Sequence, residues 1–334
     1  MTTKLNTPEH LFQSIHDDLG SLRQNLCNVI VGQETLIDEL ITAVFAGGHV
    51  LLEGLPGLGK THLVKALAAS IALPLGRIQC TPDLMPADIT GSEILVRDED
   101  GQHRLDFRPG PVFSALVLVD EINRATPKTQ AALLEAMQEQ QVTYAGKRYP
   151  LPTPFRVFAT QNPIELEGTY PLPEAQLDRF MFKVKVGYPD ADAMLSMLEV
   201  SLDDEPADHL PATLGTERID EILQQARQVM IAVPIKQAAV TLILATHPDR
   251  QESASAAKSH IRYGASPRGL QALLRAARAC ALLHGRAQVA FDDLHSVALP
   301  ALRHRILLKM ESEMDGVEVD ETLSRVIEQC LPKH

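Results

Sequence analysis

A largely parallel α/β sheet followed by a small all-helical domain is the fold class this sequence predicts. Three observations carry it. Five short apolar runs alternate with helical patterns up to about residue 186, as a parallel sheet requires. The first run leads into a glycine-rich turn that opens a helix. Beyond residue 187 the strand signals fade and amphipathic helices take over. The expected domains are 1–186 and 187–334, which suits a chain of this length at roughly 150 residues per domain.

The elements follow in order. Thr7-Pro8 reads as a helix cap with proline at the first helical position. A helix over 34–46 stops at Gly47-Gly48. The five apolar runs, taken as strands, are 49–53, 77–80, 115–119, 155–160 and 181–186. Two segments break the alternation and read as hairpins projecting from the sheet. One pairs 93–96 with 104–107 around an Asp100-Gly101 turn, and the other pairs 141–144 with 147–149 around Ala145-Gly146. Gly187-Tyr188-Pro189-Asp190 marks the boundary. Helical patterns then cover 190–202, 217–231, 236–246, 267–284 and 291–309, separated by polar, loop-like stretches at 203–213 and 251–260.

Composition narrows the function classes. Apolar residues make up 45% and charged residues 22%, ordinary for a globular protein. The 43 acidic and 31 basic residues leave a formal charge of −12, which disfavours broad binding to nucleic-acid phosphates. Tryptophan is absent and aromatics are 4%, so a base-stacking platform is poorly supplied. Cys27, Cys80, Cys280 and Cys330 are too far apart for a CxxC motif, and the 12 histidines show no zinc-binding spacing. No apolar stretch approaches the roughly 18 residues of a membrane span, and the polar start lacks a signal-peptide core. A soluble cytoplasmic protein is expected.

The chemistry begins at Gly54-Leu-Pro-Gly-Leu-Gly-Lys60-Thr61, which fits G-x-x-x-x-G-K-[ST] between a strand and a helix expected over 61–72. Its glycines let successive backbone N–H groups turn towards phosphate oxygens, and the helix N-terminus adds positive potential. Lys60 is expected at the β- and γ-phosphates and Thr61 on Mg²⁺. Gly54, Pro56, Gly57, Leu58, Gly59 and the following His62 complete the candidate phosphate-side contacts. A second apolar strand ends in Asp120-Glu121. At the C-terminal edge of such a sheet, Asp120 would hold Mg²⁺ through water and Glu121 would act as general base on the attacking water. The guanine-reading N-K-x-D sequence is absent, so ATP is preferred to GTP. Asn162, at the end of a third strand, is placed either at the γ-phosphate or the attacking water, or in a plain turn before Pro163. Arg179 fits an arginine finger acting on a neighbouring subunit, or an ordinary ion pair. Arg268 sits in the first turn of a helix, where the dipole disfavours a cation. It reads as reaching back to the bound phosphate, or as a surface arginine.

These motifs in this order resemble the AAA+ ATPases, and more narrowly the MoxR family. The narrower likeness rests on Val29-Ile-Val-Gly-Gln33, 81–91, Phe107-Arg-Pro-Gly-Pro111, Asp120-Glu-Ile-Asn-Arg-Ala125, Ala159-Thr-Gln-Asn-Pro163 and 167–180. It spans about residues 20–310. The resemblance implies Walker A roles for Lys60 and Thr61, Walker B roles for Asp120 and Glu121, sensor 1 for Asn162, the arginine finger for Arg179 and sensor 2 for Arg268. It puts Val31, Gly32 and Gln33 near the adenine. It makes the two hairpins the helix-2 insert and the pre-sensor-1 hairpin. It also implies a hexameric homo-oligomeric ring that remodels a protein client, with a separate von Willebrand A-domain partner and a possible role in metal-cofactor maturation. Two other readings compete. A nucleic-acid motor would use basic hairpins, but the first hairpin mixes Arg97, Arg104 and Arg108 with Asp98, Glu99, Asp100 and Asp106. A small-molecule kinase would need an acceptor pocket that the second domain does not suggest.

Overall fold

The computed structural model describes residues 8–97, 102–165, 168–201 and 212–332. The expected cap at Thr7 and the Asp100-Gly101 turn lie outside the described residues, as does most of the polar stretch 203–213.

Helix α1 (Pro8–Val29) places Ile15, Leu19, Leu22 and Leu26 on one stripe, all fully buried. Helix α2 (Glu34–Phe45) and strand β1 (Val50–Gly54) follow. The glycine-rich turn then opens α3 (Lys60–Ser70). Next come β2 (Leu75–Gln79), α4 (Pro86–Thr90) and the antiparallel pair β3 (Gly91–Arg97) and β4 (His103–Pro109). Strand β5 (Leu116–Asp120) leads to α5 (Pro127–Glu139) and a second antiparallel pair, β6 (Gln141–Tyr144) and β7 (Lys147–Pro150). Strand β8 (Arg156–Gln161), the short α6 (Glu174–Leu177) and β9 (Phe182–Val186) complete the sheet region.

The five main strands pair in parallel in the order β2-β5-β8-β1-β9. Helices on both faces bury the sheet, which is why β5 reads as a continuous apolar run. Alternate residues serve opposite layers. Leu116 and Leu118 join the layer of α1, α2 and α3, whereas Val117 and Val119 join that of α4 and α5.

After β9 the chain is mainly helical: α7 (Ala191–Ser201), α8 (Thr216–Gln228), α9 (Val233–Ala245), α10 (Ser255–His260), α11 (Pro267–Leu283), α12 (Phe291–Leu302), α13 (Met310–Met314) and α14 (Val319–Cys330). Three expectations change here. The stretch 251–260 is not all loop: Ala254 and Ala257 are fully buried where α10 packs on α14, small side chains allowing the close approach. The helix expected over 291–309 ends at Leu302 and carries Pro300 within its last turn. The chain then makes a 3₁₀ turn at Arg303–Arg305. The region is also not wholly helical, because β10 (Ile261–Tyr263) and β11 (Leu307–Leu308) pair antiparallel.

The sheet and these helices share one apolar cluster. Helix α1 ties them further: His16 Nδ1 lies 2.8 Å from the Leu283 carbonyl, and Arg218 Nε donates to Asp18 at 2.6 Å. No helix among the described residues is long and apolar enough to cross a membrane.

Candidate functional site

The C-terminal edge of the sheet gathers the phosphate loop, the acidic pair and the polar end of β8 around a cleft of about 470 Å³. Gly57 and Gly59 adopt φ of +80° and +74°, which a side chain would strain, and Gly59 starts α3. Lys60 Nζ donates to the carbonyls of Gly54 and Leu55 at 2.8 and 2.6 Å. Burial lowers the Lys60 ammonium pKa, against the pull of the Glu121 and Asp120 carboxylates. Thr61 Oγ1 donates to Asp120 Oδ1 at 3.0 Å. Two hard oxygens, at the end of a buried strand and the start of a helix, thereby converge as a magnesium ligand set requires. His62 also lines the cleft.

Neighbouring strands supply parts that motif reading missed. Strand β2 lies beside β5 with Gln79 opposite Asp120. Arg77 Nε donates to Asp120 Oδ2 at 2.9 Å, and Gln79 Nε2 to Glu121 Oε2 at 3.3 Å. Arg77 and Gln79 flank buried Ile78; that alternation at a strand end was the available signal. Glu121 has φ +57°, a costly left-handed geometry for a residue with a side chain. Thr160 Oγ1 supports it by accepting the Glu121 N–H at 2.8 Å. Glu121 Oε2 also accepts from Arg124 at 3.0 Å. Asn162 Nδ2 donates to Glu165 at 3.3 Å, while its Oδ1 accepts from the N–H of Ile164 at 3.3 Å. Asn162 therefore combines a turn role with a place in the cleft.

Val31, Gly32 and Gln33 are not among the residues lining this cleft. They sit at the start of α2. Gly32 has φ +72°, and a Cβ there would fall 2.3 Å from that of Ala193 in α7.

The two downstream arginines lie elsewhere. Strand β9 pairs with β1 so that Phe182 faces Val50 and Val186 faces Gly54. Arg179 precedes the start of β9, whereas the phosphate loop follows the end of β1. The length of the sheet, about 13 Å over four residues, separates them. Arg268 is at the same far edge, with Arg179, in a second cleft of about 260 Å³. The reading in which Arg268 reaches back to the phosphate of its own loop is corrected: the packing of α11 puts it on the opposite edge of the sheet. Asp178 organises this edge. Buried Arg305 donates to Asp178 Oδ1 at 2.7 Å and to the carbonyls of Asp178 and Phe180 at 3.1 and 2.7 Å. Ser266 Oγ donates to Asp178 Oδ2 at 3.1 Å, and Arg268 approaches that oxygen at 4.0 Å. Arg179 is aimed by a 2.5 Å bond to the Leu134 carbonyl. Asp178 and Arg305 are separated by 127 residues, so spacing along the chain carried no hint of their pairing.

Comparison with known proteins agrees with this architecture. Residues 49–182 match the model of the ATPase family associated with various cellular activities (AAA), and 253–326 match an AAA lid domain. Chaperone MoxR1 of Mycobacterium tuberculosis is 39% identical over 307 residues, 91% of this chain and 80% of that protein. Protein MoxR of Paracoccus denitrificans is 36% identical over 302 residues, 85% of this chain and 86% of that one. The uncharacterized YeaC of Bacillus subtilis is 40% identical over 317 residues, covering 94% of this chain and 95% of YeaC. A crystal structure from Cytophaga hutchinsonii, put forward there as an ATPase, superposes with a TM-score of 0.89 at 37% identity over 99% of both chains.

Proposed function

The chain belongs to the MoxR family of AAA+ ATPases, and from that premise we propose that it is an ATP-hydrolysing chaperone, acting in the cytoplasm as a ring of identical subunits. The observation that carries this reading is the split of the site between the two edges of the sheet. The hydrolytic carboxylates stand with the phosphate loop at one edge. Arg179 and Arg268 share a cleft at the other. Arginines that far from their own loop can meet a γ-phosphate only when a second copy presents it.

In this reading 1–186 is the ATP-binding unit, 187–334 is the lid, and Val31, Gly32 and Gln33 border the adenine. The backbone N–H groups of 56–60 wrap the β-phosphate, with Lys60 exchanging its two carbonyl partners for phosphate oxygens. Thr61 and Asp120 would hold Mg²⁺, which supplies positive charge to the β- and γ-oxygens. Glu121 accepts the proton of the attacking water, and Asn162 orients that water. Arg179 and Arg268 of the adjoining copy stabilise the charge that develops on the transferred phosphoryl group. A separate von Willebrand A-domain partner, a protein client and a role in metal-centre maturation follow from the family resemblance. The mixed charge of the hairpins weighs against a nucleic-acid track.

Complementation tests the split. Glu121→Gln and Arg179→Ala proteins should each bind ATP and release almost no phosphate. Mixed, they should regain activity wherever an Arg179→Ala subunit, its own loop intact, adjoins a Glu121→Gln subunit that supplies the arginine. A mixture as inactive as its components would refute the shared site.

A further inference from the structure

A third cleft opens beside that of Arg179 and Arg268, sharing Gly47, Gln140 and Arg275 with it. Its volume is about 400 Å³, within the range of roughly 300–1,000 Å³ usual for small-molecule sites. Four arginines line it: Arg156 from β8, Arg227 from α8, and Arg275 and Arg278 from α11. No acidic residue lines it. None of the four forms an ion pair with a carboxylate among the described residues.

Arg156 is the telling member. It is 6% exposed, and buried cations are ordinarily paired. Its Nε and Nη1 donate to the carbonyls of Val44 and Phe155 at 3.2 and 2.7 Å. Its Nη2 lies over Gly47 at the wall of the cleft, 3.4 Å from where a Cβ would stand. Burial, reinforced by Arg227, lowers its pKa to about 10. Arg278 adds a buried Nε without a hydrogen-bond partner. Arg227 and Arg275 are exposed, so the cost of unpaired charge falls on Arg156 and on the buried Nε of Arg278, and an anion in the cleft would offset it.

We propose that this cleft binds an oligophosphate group, either the phosphate tail of a nucleotide or a free inorganic oligophosphate, at a site separate from the phosphate loop. Four arginines around one cleft, two of them at its exposed rim, call for a compact ligand with several negative charges. Each planar fork suits a phosphate edge. The wall drawn from Phe45–Gly47 and β8 belongs to the sheet region, and the wall drawn from α8 and α11 to the helical region. Binding therefore clamps the two together, beside the edge that carries Arg179.

The test uses the full chain with Lys60→Ala, which removes the phosphate loop as a competing site and makes the readout independent of hydrolysis. Tripolyphosphate is titrated calorimetrically at about 0.15 M salt, where loose surface attraction is screened, and thermal unfolding is followed alongside. The expected result is one site per chain and a raised melting temperature. Adding Arg278→Gln, or separately Arg156→Leu, should weaken binding by at least about tenfold. Magnesium-free ATP separates the sources: competition with tripolyphosphate identifies a nucleotide tail, and its failure identifies a free oligophosphate. Absence of binding, or binding unchanged by both substitutions, would overturn the proposal. So would loss of subunit assembly in the arginine variants without any oligophosphate binding, because the cleft would then receive carboxylates of a neighbouring copy.

Discussion

Asp178→Asn tests how the far edge of the sheet is held together. Asp178 is 17% exposed and its partner Arg305 3%. Removing one charge of such a pair leaves the other buried and uncompensated, which costs about 3–5 kcal/mol. Arg305 keeps backbone acceptors at Asp178, Phe180, Met181 and Ala301, so the lower figure applies, about 3 kcal/mol. At about 2 °C per kcal/mol for a chain of this size, the melting temperature should fall by about 6 °C. Urea denaturation supplies the free energy directly. The double variant Asp178→Asn with Arg305→Met removes both charges and should lose much less than the sum of the singles, with a coupling above about 1 kcal/mol. Phosphate release should also drop, because Arg179 adjoins Asp178, while ATP binding stays as it was. A single variant within about 0.5 kcal/mol of the parent, or a double variant that is simply additive, would refute the coupling of Asp178 to Arg305.

Three further predictions concern other groups. Burial raises the Glu39 carboxyl pKa from 4.5 to about 7, helped by Asp320 and Asp38 and opposed by Arg303. The folded state then holds a proton that the unfolded state has released, so the stabilisation is full below about pH 4.5 and is lost as pH rises through about 7, by up to roughly 3 kcal/mol. Glu39→Gln should flatten that slope in urea midpoints measured from pH 5 to 8; an unchanged slope assigns the titration to another group. Gln79→Ala removes a hydrogen-bond donor from Glu121, so basal phosphate release should rise about threefold to tenfold; an unchanged or lower rate would show that this bond does not restrain the base. Lys60→Ala should abolish Mg·ATP binding in calorimetry, whereas Glu121→Gln should bind at parental affinity.

Much of the fold was legible because it is written locally. An apolar run followed by glycines, lysine and threonine makes a strand, a turn and a helix from contiguous residues, and the structure places β1, the loop and α3 as that pattern implies. The parallel sheet was equally readable, since burial on both faces demands the uninterrupted Leu116–Val119 run. Where short-range signals conflicted, reading was poorer. The small and polar residues of 251–260 suggest a loop until α14 offers a surface for Ala254 and Ala257, and Pro300 does not announce how far past it the helix runs.

Sequence by itself placed the residues proposed for phosphate, magnesium and water, because they lie close along the chain or at strand ends whose direction is set by the fold class. Only the tertiary structure decided which edge of the sheet each arginine serves. Arg268 lies 89 residues after Arg179, and nothing in that separation says that α11 packs it beside Arg179 and away from Lys60. The same holds for Asp178 with Arg305, and for Arg156, Arg227, Arg275 and Arg278 around one cleft. Coulomb interactions act through space, and the distances that matter to them are created when the helices dock.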